Sequence, residues 1–125
     1  RLVALANRVQ AHWYDFDPAW NADLCRTVRS AVDVPVLCEG GIRERPRIDR
    51  LLGDACDMVG MARPFYAEPE LPARLLADEA ASAVCASCNN CAVPQVTGAP
   101  GVCRTPAVLD EAGRLRKQGA YDRDQ

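Results

Sequence analysis

The chain has 125 residues, 49% of them hydrophobic, and 15 basic against 17 acidic side chains leave a net charge of only -2. That composition supports one globular core and offers no broad positive face for nucleic acid. No apolar run approaches the roughly 18 residues that span a bilayer, and no signal segment opens the sequence, so neither membrane nor secretion is expected and the cytoplasm is the default.

In chain order, Leu2, Val3, Leu5 and Ala6 suit the buried face of a helix whose beginning lies upstream. The first residue is Arg, and the chain is expected to be a fragment. Residues 9–16 read as a strand, because Trp13, Tyr14 and Phe16 favour extended backbone, with Asp15, Asp17 and Pro18 closing it. His12, the sole histidine, stands in this run, where Trp13 or Asp15 are equal candidates to face a ligand. Over residues 19–32, Ala22, Leu24, Cys25, Val28, Ala31 and Val32 recur at helical spacing. Residues 34–38 form an apolar β-branched run expected to be a parallel strand buried on both faces, and it leads into Glu39-Gly40-Gly41.

A second unit repeats the plan. Ile48, Leu51 and Leu52 mark a short helix that opens near Pro46 and is expected to stop at Gly53. The alternation between Arg43 and Arg50 of basic residues with Glu44 and Asp49 reads as a solvated helix start. Residues 55–61 give the next buried strand, ending at Ala62-Arg63-Pro64. Glu68-Pro69-Glu70 then starts a helix carrying Leu71, Leu75 and Leu76. After residue 103, Val108, Leu109 and Leu115 are expected to pack a terminal helix wetted by Arg114, Arg116 and Lys117, with residues 121–125 loose. Strands and helices in alternation imply a parallel sheet with crossover helices, completed as a closed eight-stranded barrel or an open doubly wound sheet. Parallel strands need covered faces and neighbours, so residues 1–125 alone are expected to be poorly soluble.

Four of the seven cysteines gather in one stretch, Cys85-Ala-Ser-Cys88-Asn-Asn-Cys91, then eleven residues, then Cys103. Two-residue gaps let one tight loop turn three sulfurs towards a point, and Pro94, Gly98, Pro100 and Gly101 favour a chain reversal that returns the fourth. Four thiolates suit an iron-sulfur cluster or zinc. Three evenly spaced cysteines plus a distant one look more like a cubane site, whereas structural zinc more often takes two separated pairs. The odd count argues against a disulfide framework. Cys25, Cys38 and Cys56 lie in apolar runs and are expected to pack as small hydrophobes.

Gly40 and Gly41, placed just after a buried strand, let backbone N–H groups approach an oxyanion. Arg63 follows the next strand at the same end of the sheet. Together the two strand ends match the phosphate site found after strands seven and eight of many barrels. An ordinary turn and a surface pair of Arg63 with Glu39 are the plainer alternatives.

These stretches carry a family resemblance. Val-Leu-Cys-Glu-Gly-Gly-Ile over 36–42, Asp-Met-Val-Gly-Met-Ala-Arg-Pro-Phe-Tyr-Ala-Glu-Pro over 57–69, and the four cysteines resemble, in order and spacing, the C-terminal part of the flavin-binding barrel of the old yellow enzyme superfamily. The branch is the iron-sulfur one, which includes 2,4-dienoyl-CoA reductase and trimethylamine dehydrogenase. The similarity spans roughly residues 2–104.

The resemblance implies that residues 9–16, 34–38 and 55–61 are strands six to eight of a TIM (β/α)8 barrel. Residues 1–80 would then be the end of an FMN-binding barrel, 81–104 an iron-sulfur loop and 105–125 a helix and tail. FMN phosphate would rest on Gly40, Gly41, Ala62 and Arg63, and Cys85, Cys88, Cys91 and Cys103 would hold a [4Fe-4S] cluster, with zinc as the alternative. It further implies an oxidoreductase that reduces an activated alkene or related small molecule with electrons from NAD(P)H. An amine dehydrogenase with the same centres, and a zinc-stabilised structural module without flavin, are the competing readings. Family catalytic residues lie mostly on earlier strands, so none is assigned; the expected partners are the substrate and the absent N-terminal part of the barrel, with a homo-oligomer as an open option.

Overall fold

The computed structural model describes residues 2, 5, 6, 9, 13, 15–78, 81–96 and 98–122. Its elements run α1 (Ala22–Arg29), β1 (Leu37–Glu39), α2 (Arg45–Asp54), β2 (Met58–Gly60), α3 (Arg63–Ala67), α4 (Leu71–Ala77), α5 (Ala92–Val96) and α6 (Pro106–Lys117). Four helices open with a proline in their first two positions, Pro46, Pro64, Pro72 and Pro106. There the missing N–H costs nothing and the fixed φ is already helical.

β1 and β2 pair in parallel, with Leu37 opposite Met58, Cys38 opposite Val59 and Glu39 opposite Gly60, and α2 connects them. Asp57 starts the ladder from its side chain: Oδ2 accepts the Val36 N–H at 2.9 Å while the Asp57 N–H donates to the Val36 carbonyl at 2.9 Å. The Val36 N–H and the nearby Arg29 guanidinium hold the Asp57 carboxyl below its usual range. One core cluster joins α1, β1, α2 and the approach to β2 through Cys25, Val36, Cys38, Ile42, Leu51, Ala55 and Cys56. A second gathers Leu71, Leu75, Ala81 and Ala83. Ile48 and Met61 pack against both.

Several expectations change. The strand expected over 9–16 is absent among the described residues: Val9 and Trp13 are helical, as are Leu2, Leu5 and Ala6. The spacing of Leu2, Leu5, Val9 and Trp13 is one helical stripe, and a local aromatic preference for strand does not override it without a neighbouring strand to pair with. His12 and Tyr14 lie outside the described residues. The first strand is buried on one side only, since Val36 and Cys38 are enclosed while Leu37 stays 50% exposed beside Met58 at 48%. Gly53 lies inside α2, which runs on to Asp54. Between the third and fourth cysteines stands a helix, α5, because Pro94 falls in its first turn where no intrahelical N–H bond is lost. Tyr121 is not loose but buried, held by a hydrogen bond to Glu68. Among the described residues no helix is long and apolar enough to cross a membrane.

Candidate functional site

The two strand ends make a cradle. Beyond β1 the chain passes through Gly40 at φ 127° and Gly41 at φ 65°, both in the region that favours glycine. A Cβ at Gly40 would sit 2.6 Å from Trp20 Nε1, and one at Gly41 2.7 Å from the Asp17 carbonyl oxygen. The glycines therefore let residues 17–20 close down on the strand end. Beyond β2 come Ala62 and Arg63. Gly40, Gly41, Ala62 and Arg63 line one cavity of about 370 Å³, open mouth included, together with Arg43 and Ser87.

The cysteine loop lies beside this cradle. Residues 81–83 run antiparallel to 43–45, with the Arg45 N–H donating to the Ala81 carbonyl at 2.9 Å and the Ala83 N–H to the Arg43 carbonyl at 2.8 Å. The loop then turns through Ser87 and Asn89, whose φ values of 54° and 58° are left-handed. Cys85, Cys88, Cys91 and Cys103 line a single narrow cavity of about 290 Å³, open space included, with Arg63, Tyr66, Thr105 and Val108. All four are free thiols, half-buried. Cys103 is placed by its N–H donating to the Tyr66 carbonyl at 3.3 Å, and Gly101 is small because a Cβ would meet the Tyr66 ring at 2.5 Å. Cys88 Sγ lies 3.0 Å from Thr105 Oγ1, which also accepts from Asn90 Nδ2 at 3.1 Å. Burial pushes the Cys91 thiol up and the Cys85 and Cys88 sulfurs add to that, while Arg63 pulls it down. Among the described residues no group of three or more His, Cys, Asp or Glu side chains is drawn together closely enough for one metal ion.

Arg63 joins the two places. Its Nη1 donates to Asn89 Oδ1 at 2.5 Å and to the Ser87 carbonyl at 3.4 Å, not to Glu39. It lines the cradle, the cysteine cavity and a wider cleft of about 1550 Å³, open space included, whose walls hold Asp15, Phe16, Trp20 and Cys88. The cleft runs from Gly41 at the cradle to Cys88 at the loop.

Three contributors were not singled out from sequence. Thr105 stands two residues after Cys103, where Thr-Pro signals a helix start and hides the hydroxyl's second use. Arg43 follows the two glycines by two residues but reads as part of a solvated charge run. Glu68 resembles one more acidic residue before a helix, yet it is 0% exposed and accepts from Arg74, from the Tyr121 hydroxyl at 2.9 Å and from the Val84 N–H at 2.6 Å. It thereby fixes the residue before Cys85.

No family model matches the chain, and no solved structure matches it. The chain is similar to a 4,4'-dithiodibutanoate disulfide reductase of Rhodococcus erythropolis, 30% identical over 102 residues, which cover 82% of this chain and 25% of that protein. It thus spans about a quarter of the length of the curated relative it matches.

Proposed function

We propose that this chain is the cofactor-bearing C-terminal part of a (β/α)8-barrel oxidoreductase, with an FMN phosphate in the cradle and a [4Fe-4S] cluster in the cysteine loop. The observation that carries this reading is the single open cleft that links Gly41 to Cys88, with Arg63 lining it and both smaller cavities. Similarity to a disulfide reductase agrees with a redox role. Bound there, flavin would supply hydride transfer and the cluster single-electron transfer.

The chain's own residues have definite tasks in this reading. Gly40 and Gly41 line the cradle where a phosphate would meet backbone, and Arg63 would supply charge and N–H donors to it. Cys85, Cys88, Cys91 and Cys103 bind the cluster as thiolates. A lone zinc needs every sulfur about 2.3 Å from one point, whereas in a cubane each thiolate meets its own iron and the four stand further apart. The four thiols line one cavity together, which is the arrangement either group would start from, and the even two-residue spacing of three of them is what favours the cubane. The half-exposed Leu37 and Met58 side chains suit an inner barrel face that further strands would cover.

The substrate is proposed to be a small organic disulfide, as in the relative's name, or an activated alkene. Each takes two electrons and two protons, supplied overall by NAD(P)H and one proton, giving two thiols from the disulfide or a saturated bond from the alkene. The test is to prepare the full chain without oxygen and quantify iron, acid-labile sulfide, zinc and flavin while recording the visible spectrum. About four irons and four sulfides per chain, with absorbance bleached by dithionite, are expected. One zinc and no colour would make the cysteines structural and overturn the cluster.

A further inference from the structure

Arg43 touches both halves of the proposed redox unit. Its guanidinium lies 3.8 Å from the centre of the Phe16 ring, at the wall of the wide cleft. Its Nη1 donates to the carbonyl of Cys85, the first loop cysteine, at 2.5 Å. Its backbone carbonyl accepts the Ala83 N–H two residues before that cysteine. The residue also lines the phosphate cradle beside Gly40 and Gly41. A cation fixed this way by stacking and by a backbone acceptor loses little freedom when a second anion arrives.

We propose that Arg43 is a shared positioning residue, one guanidinium that at once steadies the cysteine loop at Cys85, makes its centre easier to reduce, and adds positive charge to the anion cradle. Reduction adds negative charge to the cluster, so a nearby fixed cation favours the reduced form, and cluster potentials follow net charge and hydrogen bonding. The same charge favours a phosphate at Gly40 and Gly41. A surface arginine that merely stacks on Phe16 would do neither.

This inference rests on the flavin and cluster reading above. The test compares the anaerobically prepared full chain with its R43M and R43K variants, normalised to iron content. Midpoint potential is read by a redox titration followed by electron paramagnetic resonance, and FMN affinity by fluorescence quenching. In R43M, with the cluster retained, the reduction equilibrium is expected to fall about tenfold, equivalent to about 59 mV for one electron. FMN affinity is expected to weaken about tenfold as well, while R43K, which gives up the planar stacking group but keeps the charge on which both effects rest, stays within about threefold of wild type on both readouts. Wild-type potential and wild-type FMN affinity in R43M, or a change in only one of them, would overturn the shared role. If R43M assembles no cluster, R43K carries the test: wild-type values support the charge, and a tenfold loss on either readout overturns it. A wild-type chain carrying zinc and no flavin would instead overturn the functional reading itself.

Discussion

Two sets of cysteines in this molecule differ in burial and in what surrounds them. Cys25, Cys38 and Cys56 sit in the first core cluster among Val36, Ile42 and Leu51, with Cys38 and Cys56 wholly enclosed. Burial there pushes the Cys38 thiol up to about 12, reinforced by its neighbouring thiols, and also raises Cys56. Cys85, Cys88, Cys91 and Cys103 line a cavity that two arginines approach, with a hydroxyl at Cys88 and a guanidinium offsetting part of the burial at Cys91. The difference teaches that residue type does not set a cysteine's surroundings: packing encloses Cys38 and Cys56 among apolar side chains, whereas the loop cysteines stand half-buried around a hollow that Arg63 and Thr105 also line.

On the proposed cluster, the largest expected break in the comparison comes from Cys88→Ser in the full chain, which should lower bound iron about tenfold or more by elemental analysis. The matching core change, Cys56→Ala, should leave iron content unaltered and cost about 1–2 kcal/mol in denaturant unfolding, the consequence of a small buried void. Iron loss from Cys56→Ala would erase the distinction. Next is Glu68→Ala, which leaves Arg74 buried without its carboxylate and the Val84 N–H without its acceptor. Breaking a buried pair from one side costs about 3–5 kcal/mol, and if the proposed cluster is bound, it is expected to be lost more readily under chelator because the loop loses its foot. Tyr121→Phe removes one hydrogen bond to the same carboxylate and should cost about 1 kcal/mol.

A pH titration of stability sharpens the contrast at smaller amplitude. The Cys38 thiol rises from 9.0 to about 12, so the folded state holds this proton more tightly than the unfolded one. Its contribution is complete below pH 9 and is lost as pH rises towards 12, at up to about 1.4 kcal/mol per unit. Tyr121 rises from 10.0 to about 12 and adds the same sign of dependence from pH 10 upward. Cys38→Ala should therefore flatten the curve from pH 9, and Tyr121→Phe only above 10. Identical slopes in both variants and wild type would show that neither group titrates as the structure places it. The smallest effect is expected from Arg116→Gln, which opens an exposed pair with Glu70 at 3.0 Å and should change stability by less than about 1 kcal/mol.

Much of the site was legible because it is written in local spacing and in strand-end chemistry. Two-residue gaps between cysteines need only a tight loop, and Gly40, Gly41 and Arg63 declare themselves by standing just past apolar runs. The helices over Ala22–Arg29, Arg45–Asp54, Leu71–Ala77 and Pro106–Lys117 follow from period and proline position. The expected strand over 9–16 failed where a helical stripe competed with aromatic preference, since strand formation depends on a partner that local sequence does not contain.

By itself, then, the sequence determined which residues are candidate ligands and where helices begin, because those depend on side chains a few positions apart, and the alternation of elements pointed to parallel pairing. Only the tertiary structure decided that Arg63 faces the loop and not Glu39, that Arg43 reaches Cys85, that Thr105 meets Cys88 and that Glu68 is enclosed with Arg74 and Tyr121. Those pairs lie between 6 and 53 residues apart in the chain, and long flexible side chains take their partners from whatever surfaces the packed core brings within reach.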